Sequence, residues 1–547
     1  RIYQYDSGND IWNQLGHDID GEATLDQSGF SVSISSDGTR VAIGADYNDG
    51  TTTNNAGHVR IYELENIKTY VQVPKQIPLQ IGVETQRLGY AADISGIVDI
   101  SGALFTHGDA SMNGNLYVSG DATIDGALSF GSASITASNI AFSSDISMND
   151  RLFVNVSDVS YSHITGYLTE TVFSGTINQL GQDIDGEASG DYSGNSVSMN
   201  SDGTIVAIGA RSNDGTTTSD AGHTRIYQYD SINDIWNQLG QDIDGEAEGD
   251  YFGRSVSLNG DGTIVAIGAY NNDGTTTDDA GHTRIYQYDS GNDIWNQLGQ
   301  DIDGEATDDY SGMSVSLSSD GTIVAIGAPY NDGTTTSNAG QVRIYEYDGT
   351  IWNQLGQDID GEAEDDNSGW SVSLNGDGTI IAIGARKNDG TATSGDYGQV
   401  RIYQYDGTVW NQLGQDIDGE AADDRLGWSV SINDSGTIVA IGAYNNDGTG
   451  ASIMGHTRIY QYDSGNDIWN QLAYDIDGEA ASDQSGYSVS LNGDGSRVAI
   501  GAINNDGTSV SSTGGHVRVY ELEYTNNYVQ VLKQVPLQIG TETQRLG

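Results

Sequence analysis

The stretch TIVAIGA, residues 322–328, limits what this chain can fold into more than any other feature. Its branched aliphatic residues fall on both alternating sets of positions, so as a strand it is apolar on both faces, and both need cover. It belongs to a unit of 57 to 59 residues, marked by SVS at 31, 196, 255, 314, 371, 429 and 488. A chain that repeats a sheet with two apolar faces must stack its copies to keep those faces from water.

One copy reads SGMSVSLSSDGTIVAIGAPYNDGTTTSNAGQVRIYEYDGTIWNQLGQDIDGEAEDDN. MSVSLS, QVRIYEY and TIWNQL alternate apolar with polar residues, and SDG, NDGT and YDG punctuate them as turns. Helical periodicity is absent. Four strands per unit, closed radially, predict an all-β chain of β-propeller class built from four-stranded blades. A linear β-solenoid is the competing architecture, but its coils are shorter and less varied than this unit.

A second, longer period overlies the first. RIYQYDSGNDIWNQL at 1–15 returns at 458–472, and LQIGVETQRLG at 79–89 returns as LQIGTETQRLG at 537–547. The chain therefore reads as a window on a tandem polypeptide whose true N-terminus lies further upstream. Residues 1–65 are expected to end a preceding propeller, 66–89 to connect, 90–175 to form a β-rich stalk or shaft, 176–523 to form a propeller, and 524–547 to repeat the connector. Six full copies follow an orphan outer strand, TINQLG at 176–181, while the last copy ends without IWNQL. Six blades per module follow, closed by pairing that orphan strand with the last copy. Seven is the alternative, reached if residues 1–65 or 70–105 join the ring. The stalk carries an internal echo, DASMNGNLYVSGDATIDG at 109 and DISMNDRLFVNVSDVSYS at 145. Too little core is present for it to fold alone, so packing against a propeller or other chains is expected.

Charge narrows the partners. With 21 basic against 78 acidic side chains, the formal net charge is -57. Such a surface repels phosphate backbones and anionic bilayers, and no stretch of 18 apolar residues offers a membrane helix. Neither nucleic acid nor membrane insertion is expected. Cysteine is absent, which removes disulfides, thiolate metal sites and cysteine nucleophiles. Acidity, few lysines and Ser/Thr/Asn/Gly loops suit an extracellular or surface-displayed position, on a cell appendage or a virion. The sequons at Asn155 and Asn433 are no more than so Asn- and Ser-rich a chain supplies.

The repeated SGxSVSLSxDGTIVAIGAPYNDG followed by GxVRIYxY resembles the FG-GAP repeats of integrin α-subunit propellers and of many bacterial and algal surface proteins. The glycine-aromatic start, Val324 to Pro329 and Val342 to Tyr347 carry the resemblance, which covers about 176–523 and 1–65. It implies a propeller built for extracellular contact and no particular ligand. The stalk resembles fibre-like segments in surface proteins of large algal viruses and in phage tail fibres. Integrin-type propellers place a DxDxDG calcium loop between their first two strands. Here that position holds only the tight turns Ser318 to Thr322 and Asn259 to Thr263, so the family's metal site does not carry over.

The hexapeptide DIDGEA occurs seven times and always extends to DIDGEAxxD. Carboxylates at offsets 0, 2, 4 and 8 around a glycine suit Ca²⁺, since residues two apart in an extended segment share a face. Asp301, Asp303, Glu305 and Asp309, with Asp358, Asp360, Glu362 and Asp366 and with Asp416, Asp418, Glu420 and Asp424, are the candidate ligands. The other reading is a solvated acidic connection between blades, its Ile turned inward. Trp12, Trp236, Trp295, Trp352, Trp410 and Trp469 of WNQL read as inter-blade packing rather than sugar platforms. The residue before SVS differs strongly between copies: Phe30, Asn195, Arg254, Met313, Trp370, Trp428, Tyr487. A variable position on a constant frame is where a binding surface differs between blades.

No catalytic fingerprint stands in a strand-helix setting, and His58, His223, His282, His456 and His516 are replaced by Gln341 and Gln399 in other copies. Near-identical copies lack the asymmetric constellation an enzyme needs, so the expectation is a chain that is not an enzyme. Arg386 beside Lys387 is the one local oddity. Two functions are foreseen. The first is a structural array of propellers and stalks, self-associating into or decorating a surface fibre. The second is an adhesin or glycan-binding module whose partners are cell-surface glycans or proteins.

Overall fold

The computed structural model describes residues 19–64 and 177–521, less residue 24 and the short segments 50–54, 215–218, 274–277, 334–336, 391–394, 448–452, 473 and 506–514. It adds strands Ile2–Asp6 and Ile11–Leu15 and nine short strands between residues 92 and 166. Among the described residues there is no helix. Contacts divide the chain into Arg1–Glu65 with Gly175–Gly547, and Asn66–Ser174.

The first unit is a β-propeller of seven blades. Blade 3 shows the plan. Ser255–Leu258 lies innermost, then Ile264–Ala269, His282–Asp289 and Ile294–Gln297, each antiparallel to the last, and Ile302–Asp303 returns to pair with the start of the third strand. The inner strands of blades 1, 2, 4, 5, 6 and 7 are Ser31–Ile34, Ser193–Met199, Ser314–Leu317, Ser368–Leu374, Ser429–Ile432 and Ser485–Leu491.

Of the two blade numbers expected, the ring has seven, the alternative to six. Residues 31–64 join the ring between blades 7 and 2 as a seventh. The orphan strand does not complete the last copy: Ile177–Gln179 pairs antiparallel with Tyr62–Leu64 of blade 1. In blade 7 the third strand, His516–Glu521, takes Ile2–Asp6 as a parallel neighbour, and Ile11–Leu15 pairs beyond it. The reason is interchangeability. The third strands of blades 1 and 7 are HVRIYEL and HVRVYE, so either edge accepts the same outer strand.

The second strand behaves as its sequence demands. Ile205 and Ala207 enter the cluster shared with blade 3, while Val206 and Ile208 enter the cluster shared with blade 1. Burying each such side chain contributes about 1.5–3 kcal/mol, collected only when both neighbours are in place. Its glycine is fixed by the next blade: a Cβ on Gly268 would lie 2.0 Å from the carbonyl oxygen of Gly312.

SVS closes the ring. The first serine donates to a glycine carbonyl of the next blade, as in Ser255 to Gly312, 2.8 Å, and Ser488 to Gly29, 2.8 Å. The second accepts a backbone amide of the next blade, as in Leu317 to Ser257, 2.9 Å, and Ile34 to Ser490, 3.1 Å. Both ladders run through all seven junctions, including the one between residues 485–491 and 29–34.

In the second unit, Ala92–Ile94, Ala110–Met112, Leu128–Phe130, Ala133–Ile135 and Leu152–Val154 form one sheet. Leu104–His107 pairs with Ala122–Asp125 in parallel, and Val98–Asp99 with Thr165–Gly166 antiparallel.

Candidate functional site: the inter-blade clasp and the channel mouth

The hexapeptide is first of all a clasp. Asp301 accepts a hydrogen bond from Gln297 of WNQL, 2.6 Å, and Ile302 is buried. The backbone carbonyl of Asp303 accepts from Nη2 of Arg343, 2.8 Å, and Glu305 pairs with Nη1 of the same arginine, 3.5 Å. Arg343 belongs to the next blade. Asp309 is 3% exposed, and its Oδ2 accepts from the Ala306 amide at 2.9 Å and from Nδ2 of Asn331 at 3.0 Å. Gly304 has no room for a side chain, since a Cβ would meet the Ala280 carbonyl oxygen at 2.0 Å.

The pattern repeats. Asp358 and Asp416 accept from Gln354 and Gln412; the carbonyls of Asp360 and Asp418 accept from Arg401 and Arg458, and Glu362 and Glu420 pair with those arginines. Asp366 and Asp424 accept from the amides of Ala363 and Ala421, with Asn388 and Asn446 as further donors. In the first of these copies the carboxylates of Asp301, Glu305 and Asp309 thus take separate partners, while Asp303 is engaged through its backbone carbonyl. Burial raises the carboxyls of Asp309, Asp366 and Asp424, and these hydrogen bonds oppose it.

Carboxylates do gather, but across copies and around a histidine that the sequence reading set aside. Glu22, His58 and Asp183 lie with ligand atoms within 4.8 Å of one another, as do Glu187, His223 and Asp242; Glu246, His282 and Asp301; and Glu420, His456 and Asp475. Such groups have donors a metal ion would accept. The arginine two residues after each histidine already neutralises the glutamate in all four. Burial, with the arginine charge adding to it, holds His58, His223 and His456 down at about 4, so they are neutral near pH 7.

The tryptophans of WNQL are structural in the five copies whose side chains are described; that of Trp12 lies outside them. Trp295 is 3% exposed and its indole N–H donates to the Leu239 carbonyl of the preceding blade, 2.8 Å. Trp236, Trp352, Trp410 and Trp469 make the same bond.

The variable position has a different fate. Phe30, Asn195, Arg254, Met313, Trp370, Trp428 and Tyr487 all come to one end of the central channel, where they line a cavity of about 210 Å³. Sequence spacing showed that they differ; only closure of the ring puts all seven around one opening. Polar residues stand on blades 2 and 3, as Asn195 and Arg254. Aromatic ones stand on blades 5, 6, 7 and 1: Trp370 and Trp428 lie 4.9 Å apart, Trp428 and Tyr487 5.3 Å, Tyr487 and Phe30 5.0 Å.

A second variable shell supports the first. Arg386, the oddity of the sequence, places its guanidinium 3.4 Å from the Trp370 ring centre and 5.2 Å from that of Trp428, and donates to the Tyr330 hydroxyl at 3.3 Å. Tyr444 packs on Trp428 at 4.4 Å. Asp46 is fully buried, and neither carboxylate oxygen finds a hydrogen-bond partner, although its own and the Tyr47 amide approach it. Burial pushes Asp46 up to about 7 against the opposing charges of Arg211 and Arg254. Just ahead of the ring, Gln27, Tyr192, Tyr251, Tyr310, Asn367, Arg425 and Gln484 all adopt φ between 54° and 58°. That left-handed region is costly for side chains of this kind, and such strain concentrates where function needs it.

No curated protein sequence matches the chain. Solved structures similar to it include a putative 6-phosphogluconolactonase from Bacteroides uniformis, 12% identical, with a TM-score of 0.40 over 62% of this chain and 90% of that one. Another is the periplasmic gluconolactonase PpgL of Pseudomonas aeruginosa, 12% identical, with a TM-score of 0.38 over 64% and 92%. The expectation of a chain that is not an enzyme is corrected on this point, since the solved propellers it is similar to are named as lactonases. Their likeness concerns the fold and gives this chain no reaction. A family model described as FG-GAP repeat matches residues 243–286, from the return strand of blade 2 to the third strand of blade 3. The chain is thus a seven-bladed β-propeller that carries an FG-GAP repeat at residues 243–286.

Proposed function

We propose that the chain is an extracellular adhesive module, a rigid propeller that binds its ligand at the channel mouth. One observation carries this reading: the position that differs most between copies is the one that lines the mouth, on a frame otherwise held constant. A concave site of aromatic faces with a few converging polar groups is the usual form of a small-ligand or glycan site. The placement outside the cell rests on the FG-GAP resemblance. Among the described residues no helix is long and apolar enough to cross a membrane. Saturable binding of the full chain on a glycan array, lost when Trp370 and Trp428 are changed to Ala, is the expected result. An array without signal refutes the reading.

A second reading, a fibre of propellers and stalks that self-associate, is favoured by the return of residues 1–15 at 458–472. Many weak sites along one polypeptide would then add by multivalency. Beads at regular spacing in negative-stain images of native material support it, and separate globules refute it. Calcium on the acidic rim belongs to this reading as a stabiliser, and an unchanged melt in chelator removes it.

A further inference from the structure

The channel mouth is chemically two-sided, and its two sides ask for different parts of one ligand. On one side stand Asn195 and Arg254. Asn195 is 3% exposed, lines the cavity, and has neither its amide oxygen nor its amide nitrogen hydrogen-bonded. Leaving a buried amide unpaired costs about 1–3 kcal/mol unless a ligand or water completes it. Arg254 also lines the cavity and, among the described residues, makes no ion pair within 4.0 Å, although the charge of buried Asp46 acts on it, in a chain with 78 acidic against 21 basic side chains. By contrast Arg60, Arg225, Arg284, Arg343, Arg401 and Arg458 are each held by a glutamate. Opposite stand the indoles of Trp370 and Trp428, with Arg386 wedged over both. The cavity, about 210 Å³, lies below the ~300–1,000 Å³ of drug-sized sites. It has room for about one sugar ring.

We propose, resting on the reading of the mouth as a ligand site, that it takes an acidic sugar residue. The ligand's carboxylate lies on Arg254, its hydroxyls on Asn195, and its C–H face on Trp370 and Trp428. A carboxylate gives the guanidinium the acceptor it lacks, and a guanidinium reads a planar anion with two parallel N–H donors. Hydroxyls both donate and accept, which is what an unpaired amide requires. The apolar face of a pyranose matches the aromatic half, where a bare inorganic anion would leave the indoles uncovered. Arg386 is a positioning residue, fixing the tilt of the two indoles from behind. A carboxylate on a peptide would satisfy Arg254 but brings no hydroxyls for Asn195.

The test titrates the full chain with galacturonic acid, galactose, sodium acetate and N-acetyl-aspartate amide, following tryptophan fluorescence and calorimetry. Galacturonic acid is expected to bind at least about tenfold more tightly than galactose, the ratio that one charge-assisted hydrogen-bonded contact supplies. Arg254→Met should erase that ratio by weakening galacturonic acid. Arg254→Lys should keep part of it, and added salt should weaken the acid alone. Galactose bound as tightly as the acid overturns the acidic-sugar assignment and leaves the mouth as a ligand site. Acetate or the aspartate derivative bound as tightly as galacturonic acid overturns the sugar component. No binding of any probe, together with a silent glycan array, overturns the assignment and the ligand site alike.

Discussion

Replacing Asp309 with Ala separates the clasp from a calcium loop more sharply than any other single change. Asp309 is 3% exposed and one oxygen accepts from both the Ala306 amide and the Asn331 side chain. A hydrogen bond to a charged group contributes about 1.5–3 kcal/mol, and truncation also strands two buried donors. The carboxylate's own desolvation, visible in its raised pKa, returns part of that. The net loss is about 2–4 kcal/mol, a fall of several degrees in melting temperature. Asp303→Asn is the control. Its backbone carbonyl, not its carboxylate, holds Arg343, so the change should stay within about 0.5 kcal/mol. Melting by circular dichroism, with and without chelator, reads both. A calcium loop would make the two variants equally harmful and would give a wild-type melt that drops in chelator. Either outcome refutes the clasp as the reason for the hexapeptide.

Three further outcomes follow from the same contacts. His58, His223 and His456 sit at about 4 when folded against an ordinary value of 6.5, so the unfolded chain binds protons first. Stability is therefore complete above pH 6.5 and falls as pH drops towards 4, by up to about 3 kcal/mol per histidine. The raised clasp aspartates act in the opposite sense and soften that loss. Changing the three histidines to Gln, as stands naturally at 341 and 399, should flatten the acid limb of a melt-against-pH curve. Asp46 runs the other way: held at about 7, its contribution is complete below the ordinary carboxylate range and is lost as pH rises through 7. Asp46→Asn should raise the melting temperature at pH 8 and change it little at pH 4. Trp352→Ala removes a side chain 3% exposed and its bond to Leu298, and should cost about 3–5 kcal/mol by denaturant titration, which an exposed sugar platform would not.

Much of this molecule is legible in one copy of its repeat. The double-faced apolar strand requires stacked sheets, alternation places four strands, and the buried Ile of DIDGEA and the packing role of WNQL follow from residue type alone. The same local pattern hides what depends on neighbours. Asp309 and its counterparts look like the other acids of the hexapeptide until Asn331, 22 residues away, is seen beneath it. SVS reads as an ordinary alternating strand, yet its serines stitch each blade to the next.

Sequence alone settled the class of fold and the constancy of the frame, because the hydrophobic period and the turn residues act within a few positions of each other. Tertiary structure alone settled the blade number, the partner of the orphan strand and the shape of the mouth. Each of those is a choice among interchangeable edges or a meeting of residues up to 457 positions apart, from Phe30 to Tyr487, across a closed ring. Local preference cannot rank such choices; the free energy of covering the last exposed sheet decides them.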